Sequence, residues 1–226
     1  NIHEEPALIF AANGTQFYEG AMLEYCEGET VTISLDEVLS GEGPFDIAWT
    51  VDGNPDNATG ANVGDNLFSG QLAAGTYPIQ ITSIVDANDC EPSDYAPYNA
   101  TVIVSPPPAL IFAANGQQFY EGDVLEFCEG DNIEVTLDEI VLGTAPFSIS
   151  WTVNGTPDSQ TGVNPGDALF SGTQPAGTYD IEITNITDAN GCSPLDVSMY
   201  YATFVVNEEP DAHFCVEGQV AGYGDE

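Results

Sequence analysis

The segment Pro6 to Gly14, PALIFAANG, returns unchanged at Pro108 to Gly116, a shift of 102 residues. The same shift carries Cys26 to Cys128, Trp49 to Trp151, Tyr77 to Tyr179 and Cys90 to Cys192 without an insertion, and more than half of the paired positions are identical. A chain that repeats itself in register folds as copies of one unit, because each copy holds the same core-forming residues in the same order. The expected organisation is the end of a preceding unit or linker at residues 1–5, repeat 1 at 6–107, repeat 2 at 108–209 and the start of a third, divergent unit at 210–226. In that last segment His213-Phe214-Cys215-Val216-Glu217-Gly218 echoes the Cys-Glu-Gly of the earlier units. Prolines and charges at Pro106-Pro107-Pro108 and Glu208-Glu209-Pro210 predict short, stiff junctions.

Within a unit the apolar runs are short, rich in Val, Ile, Thr, Tyr and Phe, and separated by Gly, Pro, Asn and Asp. Strands are predicted near Ala7 to Phe10, Ala21 to Tyr25, Thr30 to Leu35, Phe45 to Val51, Asn66 to Phe68, Thr76 to Ile84 and Tyr98 to Val104. In Phe45-Asp46-Ile47-Ala48-Trp49-Thr50-Val51 every second residue is a large apolar one, so one face is buried and the other is wet. The fold class is therefore all-β, as tandem immunoglobulin-like β-sandwich repeats. Trp49 and Trp151 belong in the cores, together with Tyr77 and Tyr179, whose hydroxyls can each tie to a neighbouring loop. A sugar-stacking role for the tryptophans is the less favoured reading.

The chain carries 37 Asp and Glu and neither Lys nor Arg, a formal charge of -37. Such a surface repels nucleic acid and anionic membranes. With 42 % apolar residues and regular aromatics, the chain has enough material for cores, so disorder is rejected. Its carboxylates cannot pair with Lys or Arg; they must be hydrated, hydrogen-bonded to backbone amides or screened by cations, and stability should rise with salt. No run of 18 apolar residues is long enough to span a membrane. The sequence reads as a mature or internal fragment that starts at Asn1.

Each unit has two cysteines 64 residues apart with a Trp between them. That arithmetic favours one disulfide per repeat, Cys26–Cys90 and Cys128–Cys192, each contributing about 3–4 kcal/mol, in an oxidising compartment. Free thiols and zinc are weaker readings, since there is no C-x-x-C and no His inside a repeat. The only histidines, His3 and His213, lie outside the repeats, so a Ser-His-Asp or Cys-His site within a unit is excluded. No phosphate clamp or Schiff base can form without Lys or Arg, and no catalytic residue is assigned. Calcium is the one candidate cofactor, on oxygen ligands from Asp86, Asn88 and Asp89 in one loop and from Asp188 and Asn190 in the other. The same Asp-Ala-Asn also makes an ordinary turn at a strand end.

Gly43-Pro44-Phe45 with Trp49-Thr50, then Gly75-Thr76-Tyr77, then Asp86-Ala87-Asn88-Asp89-Cys90, and in the second copy Gly177-Thr178-Tyr179 and Asp188-Ala189-Asn190-Gly191-Cys192, form one series. It resembles the repeats of SprB-type gliding-motility adhesins of Bacteroidota. That resemblance covers about half of each unit. It implies export by the type IX secretion system, an extracellular, cell-surface location and a role in adhesion. The partners it implies are neighbouring repeats of the same chain and an outer-membrane anchor or the secretion machinery, with surface polysaccharide as a further candidate. The favoured function is a non-enzymatic extender or stalk segment. Its rivals are a glycan- or protein-binding module, a calcium-rigidified extender and a self-assembling filament subunit.

Overall fold

The computed structural model describes residues 3–210, 213–216 and 219–222. Repeat 1 is built of nine strands: β1 (Ala7–Ala12), β2 (Thr15–Phe17), β3 (Ala21–Cys26), β4 (Thr30–Ser40), β5 (Phe45–Val51), β6 (Asn54–Ala61), β7 (Asn66–Gln71), β8 (Gly75–Val85) and β9 (Ala100–Ser105). A 3-10 turn at Ala96–Tyr98 leads into β9. The strands form a four-stranded sheet in the order β2-β1-β4-β7 and a five-stranded sheet in the order β3-β9-β8-β5-β6. All pairs are antiparallel except β3 with β9.

Repeat 2 repeats this plan with β10 (Ala109–Ala114), β11 (Gln117–Phe119), β12 (Asp123–Cys128), β13 (Asn132–Leu142), β14 (Phe147–Val153), β15 (Thr156–Val163), β16 (Ala168–Thr173), β17 (Gly177–Thr187) and β18 (Tyr201–Asn207). Its sheets run β11-β10-β13-β16 and β12-β18-β17-β14-β15, the same two orders. The chain is thus all-β, with tandem immunoglobulin-like sandwiches. Beyond them, β19 (His213–Val216) and β20 (Gln219–Gly222) pair as an antiparallel hairpin. The rest of the expected third unit, and the side chains of His213 and Cys215, lie outside the described residues.

Alternation decides which residues meet between the sheets. Leu8, Phe10, Val31, Ile33 and Leu35 of the four-stranded sheet face Phe45, Ile47, Trp49, Ile79, Ile81, Val102 and Val104 of the five-stranded one in a single cluster. The matching residues of repeat 2 form a second cluster. Two strands per unit escape the sequence reading. β2 has only three residues, and β6, NPDNATGA, is polar almost throughout. Both sit at sheet edges, where the shortness of β2 and the Pro55 and Asp56 of β6 discourage pairing with other chains.

Chain contacts divide the molecule into two compact units: Asn1–Pro107 together with Asn190–Cys192, and Pro108–Ala189 together with Ser193–Glu226. A short stretch of repeat 2 sequence is therefore part of the first unit.

Candidate functional site

Each sandwich has two distinct ends. At the incoming end of repeat 1, where β1 begins, Ala7 pairs with Ser40, and the loop after β8 returns to the same place: Ala87 N–H donates to the Glu42 carbonyl at 2.8 Å. Gly41 lies here at φ +91°, and a Cβ on it would stand 2.8 Å from Pro6 Cα. At the outgoing end, where β9 leaves, Cys26 pairs with Ser105 and Gly75 with Val104.

Asp86 organises the incoming end. It is only 4 % exposed. Its Oδ1 accepts the amides of Asn88 and Cys90, both at 2.9 Å, and its Oδ2 accepts the Glu42 amide at 3.2 Å. The Cys90 amide, with those of Asn88 and Glu42, holds this carboxyl below the ordinary Asp range against the opposing effect of burial. Asn88 donates to Glu42 Oε2 at 3.1 Å, and Asp89 is exposed at φ +59°. In repeat 2, Asp188 is 5 % exposed and accepts the Thr144 amide at 3.1 Å, while Asn190 donates to Ser105 Oγ at 3.3 Å. The calcium candidates thus fall into two loops in which Asp86 and Asp188 accept backbone amides. Among the described residues no group of three or more His, Cys, Asp or Glu side chains is arranged to hold a metal ion. A recess of about 250 Å³ beside Asp86 is lined by His3, Glu4, Gly41, Glu42 and Asn88.

The amide-capping role of Asp86 is general in this lysine- and arginine-free chain. Glu29 accepts the Cys26 amide, Asp131 the Cys128 amide, Asp65 the Asn62 amide and Asp167 the Asn164 amide. Carboxylates that have no cation to pair with close turns instead.

The cysteines pair differently from the expectation. The disulfide joins Cys26 to Cys192, across a sequence separation of 166, and Cys90 and Cys128 are free. The expected pairs Cys26–Cys90 and Cys128–Cys192 do not form. Cys26 ends β3 beside Ser105, at the outgoing end, whereas Cys90 follows Val85, which pairs with Asp46 at the incoming end. Between those ends runs the eleven-residue β8, roughly 35 Å at the rise of an extended strand. A disulfide tolerates a Cα separation of about 7 Å at most. Repeat 2 has the same layout, with Cys128 beside Asn207 and Cys192 beyond Thr187, which ends β17.

Of the aromatic residues expected in the cores, Trp49 and Trp151 are each 3 % exposed at mid-strand. Tyr77 and Tyr179 are half-buried at the rim, and their hydroxyls donate to the carbonyls of Ala73 at 2.8 Å and Pro175 at 2.9 Å. Neither tryptophan offers a face to solvent for sugar stacking. Sequence reasoning did not find the apolar recess of repeat 2, lined by Leu110, Phe112, Phe119, Tyr120, Met199 and Tyr200. No periodic signal marks it, because its walls come from three separate segments. No helix among the described residues is long and apolar enough to cross a membrane.

No family model matches this chain. Among curated proteins it is similar to nucleoporin POM152 of Saccharomyces cerevisiae, 29 % identical over 170 residues, which covers 69 % of this chain and 12 % of that protein. The chain therefore spans about an eighth of the length of that relative. Among solved structures it is similar to fibronectin(III)-like modules of Clostridium thermocellum CbhA (TM-score 0.41, 13 % identity, 92 % of this chain and 100 % of that one). It is also similar to part of a 1.5-MDa bacterial ice-binding adhesin (TM-score 0.41, 12 % identity, 93 % and 68 %) and to the chicken CNTN1 FN1-FN3 domains (TM-score 0.42, 10 % identity, 91 % and 68 %). With TM-scores of 0.41 and 0.42 these superpositions are loose, and the sandwich assignment rests on the sheet orders and the closed cores.

Proposed function

We propose that this chain is an extracellular extender: a segment of a large cell-surface adhesin or filament that provides reach and stiffness rather than catalysis. The observation that carries the reading is the covalent tie between Cys26, at the outgoing end of repeat 1, and Cys192, from the sequence of repeat 2, in a chain whose repeats are joined by the short segment Ser105-Pro106-Pro107-Pro108. A disulfide that secures one repeat to the sequence of the next resists extension at the junction, where a tandem array is weakest. It also supports an oxidising compartment on this reading.

Two sequence features suit the same role. Without Lys or Arg the chain has no trypsin site, and a charge of -37 keeps parallel stalks apart. The resemblance of the Gly-Thr-Tyr and Asp-Ala-Asn-x-Cys series to gliding-adhesin repeats supports attachment to surfaces and export by type IX secretion. Neighbouring repeats, an outer-membrane anchor and surface polysaccharide are the partners on this reading. On this reading rigidity comes from the disulfide and from turns closed by carboxylates such as Asp86 and Asp188. A chelator should leave the melting temperature unchanged; a fall on chelation would favour the calcium-rigidified alternative.

The test is the mass and location of the native polypeptide, detected by antibody in whole cells and in reduced lysates. The expected result is a surface-exposed polypeptide many times 23.9 kDa. A soluble intracellular polypeptide near 23.9 kDa would overturn the extender reading.

A further inference from the structure

The disulfide follows a pattern that two free cysteines among the described residues, Cys90 and Cys128, do not complete. Cys26 and Cys128 are equivalent positions, as are Cys90 and Cys192, related by the shift of 102 residues. The bond that forms takes the first cysteine of one repeat and the second cysteine of the following repeat. The first cysteine of repeat 2, Cys128, and the second cysteine of repeat 1, Cys90, remain as thiols.

We propose that Cys90 and Cys128 are the two open ends of a repeat-to-repeat disulfide chain, each forming its bond with the complementary cysteine of a further copy of this repeat.

Each thiol is the counterpart of a sulfur that is bonded in this structure. Their settings are counterparts too. Cys26 ends β3 and its amide donates to Glu29 Oε2 at 2.8 Å; Cys128 ends β12 and its amide donates to Asp131 Oδ2 at 3.0 Å. Cys128 is exposed at the outgoing end of repeat 2, where a following repeat would begin. Cys90 lies at the incoming end of repeat 1, half-buried in a loop shaped by Asp86, as Cys192 closes the loop that begins at Asp188. Pairing inside a repeat is prevented by the length of β8 and β17, so each repeat requires a neighbour on both sides to complete its bonds. A first-to-second pairing is head-to-tail, so a linear run of repeats leaves one cysteine of each type open at its two ends.

The chemistry balances with a disulfide oxidant. The Cys128 thiolate attacks one sulfur of oxidised glutathione, forming a mixed disulfide and releasing one glutathione thiol. The second-type cysteine of the other copy attacks the Cys128 sulfur and releases the second glutathione thiol. Two protons and two electrons leave the protein thiols, and the oxidant becomes two thiols. Burial, and then the charges of Asp86, Asp89 and Glu5, push the Cys90 thiol up from its ordinary value, so its thiolate is scarce at neutral pH and the reaction there is slow.

The inference rests on connectivity and not on the extender reading, so its failure is separable from a failure of that reading. Two proteins test it, both carrying Cys215→Ser. One is the 226-residue chain, and the other is the same chain with a second copy of residues 108–209 inserted directly after Glu209. Each is incubated with oxidised glutathione in high salt, remaining thiols are trapped with iodoacetamide, and unreduced peptides from glutamate-specific proteolysis are mapped by mass spectrometry. In the extended chain the Cys128 peptide is expected to be bonded to the second cysteine of the inserted copy. In the original chain Cys90–Cys128 links between molecules give a ladder that reduction collapses. Cys90→Ser or Cys128→Ser abolishes that ladder, and mixing the two variants gives dimers alone. A link only in the extended chain assigns the bond to successive repeats of one polypeptide; a ladder extends it to separate molecules. Recovery of Cys90 and Cys128 as alkylated thiols in both proteins, or bonds of the types Cys26–Cys90, Cys128–Cys192 or Cys128–Cys128, overturns the proposal.

Discussion

Repeat 1 and repeat 2 share their sheet orders, their strand registers and most of their cores, yet their cysteines have opposite fates. Cys192 is bonded and 1 % exposed, while its equivalent Cys90 is a half-buried thiol. Cys26 is bonded, while its equivalent Cys128 is an exposed thiol. The fold of a repeat is therefore set by its own residues, whereas the partner of Cys26 comes from the sequence of the other repeat. A smaller difference has a local cause. Tyr98 is 9 % exposed behind the 3-10 turn that holds Pro97, whereas Tyr200 follows Met199 and is more open, with the apolar recess beside it.

Four measurements probe how far the two repeats are equivalent. The largest effect is expected from the cores. Trp49→Ala and Trp151→Ala should each cost about 3–5 kcal/mol in urea denaturation, confined to the repeat that carries the change. If either substitution melts both repeats together, the cores are not independent.

Next in size is Cys26→Ser, expected to cost about 2–4 kcal/mol by removing the Cys26–Cys192 cross-link. Because each core is closed without that bond, the circular dichroism spectrum should keep its β character, and Cys192 should become alkylatable. A variant that fails to fold at all would show that the tie is part of the fold and not an addition to it.

At the incoming ends, Gly41→Ala and Gly143→Ala should each cost about 1–3 kcal/mol in thermal melts, because both positions have positive φ. The new Cβ would also stand within 3.0 Å of backbone, at Pro6 in one repeat and Pro108 in the other. Equal losses would extend the equivalence of the repeats to their ends.

The smallest effect concerns Asp86. Its carboxyl is held below the ordinary value in the folded chain, so the stability it contributes is present above the unfolded value and is lost as pH falls through the folded one. Falling pH also relieves repulsion among the other carboxylates, which acts in the opposite direction. Comparing the melting temperature of Asp86→Asn with that of the parent from pH 6 to about pH 2.5 isolates the residue. The gap between the two should narrow as pH falls, and a constant gap would remove the ionised carboxylate from the account.

Much of this architecture was legible before any coordinates. A perfect nonapeptide repeat at constant spacing leaves no doubt about duplication, and Phe45-Asp46-Ile47-Ala48-Trp49-Thr50-Val51 states its buried face by alternation alone. β6 was not legible because an edge strand needs no apolar face, and β2 because three residues are too few to show a period. The turn reading of Asp-Ala-Asn was available from residue type, but the three amides that converge on Asp86 come from positions as far apart as Glu42 and Cys90.

Residue order alone establishes the repeat, the all-β class, the alternating cores and the lack of any Lys or Arg to pair with 37 acids. Which cysteine meets which is settled in three dimensions. Counting along a chain measures contour length, and a strand of eleven residues turns a modest count into the full length of a sandwich. Cys26 and Cys90 are neighbours in the arithmetic of one repeat, but they lie at its opposite ends, so the partner of Cys26 comes from the sequence of the next repeat.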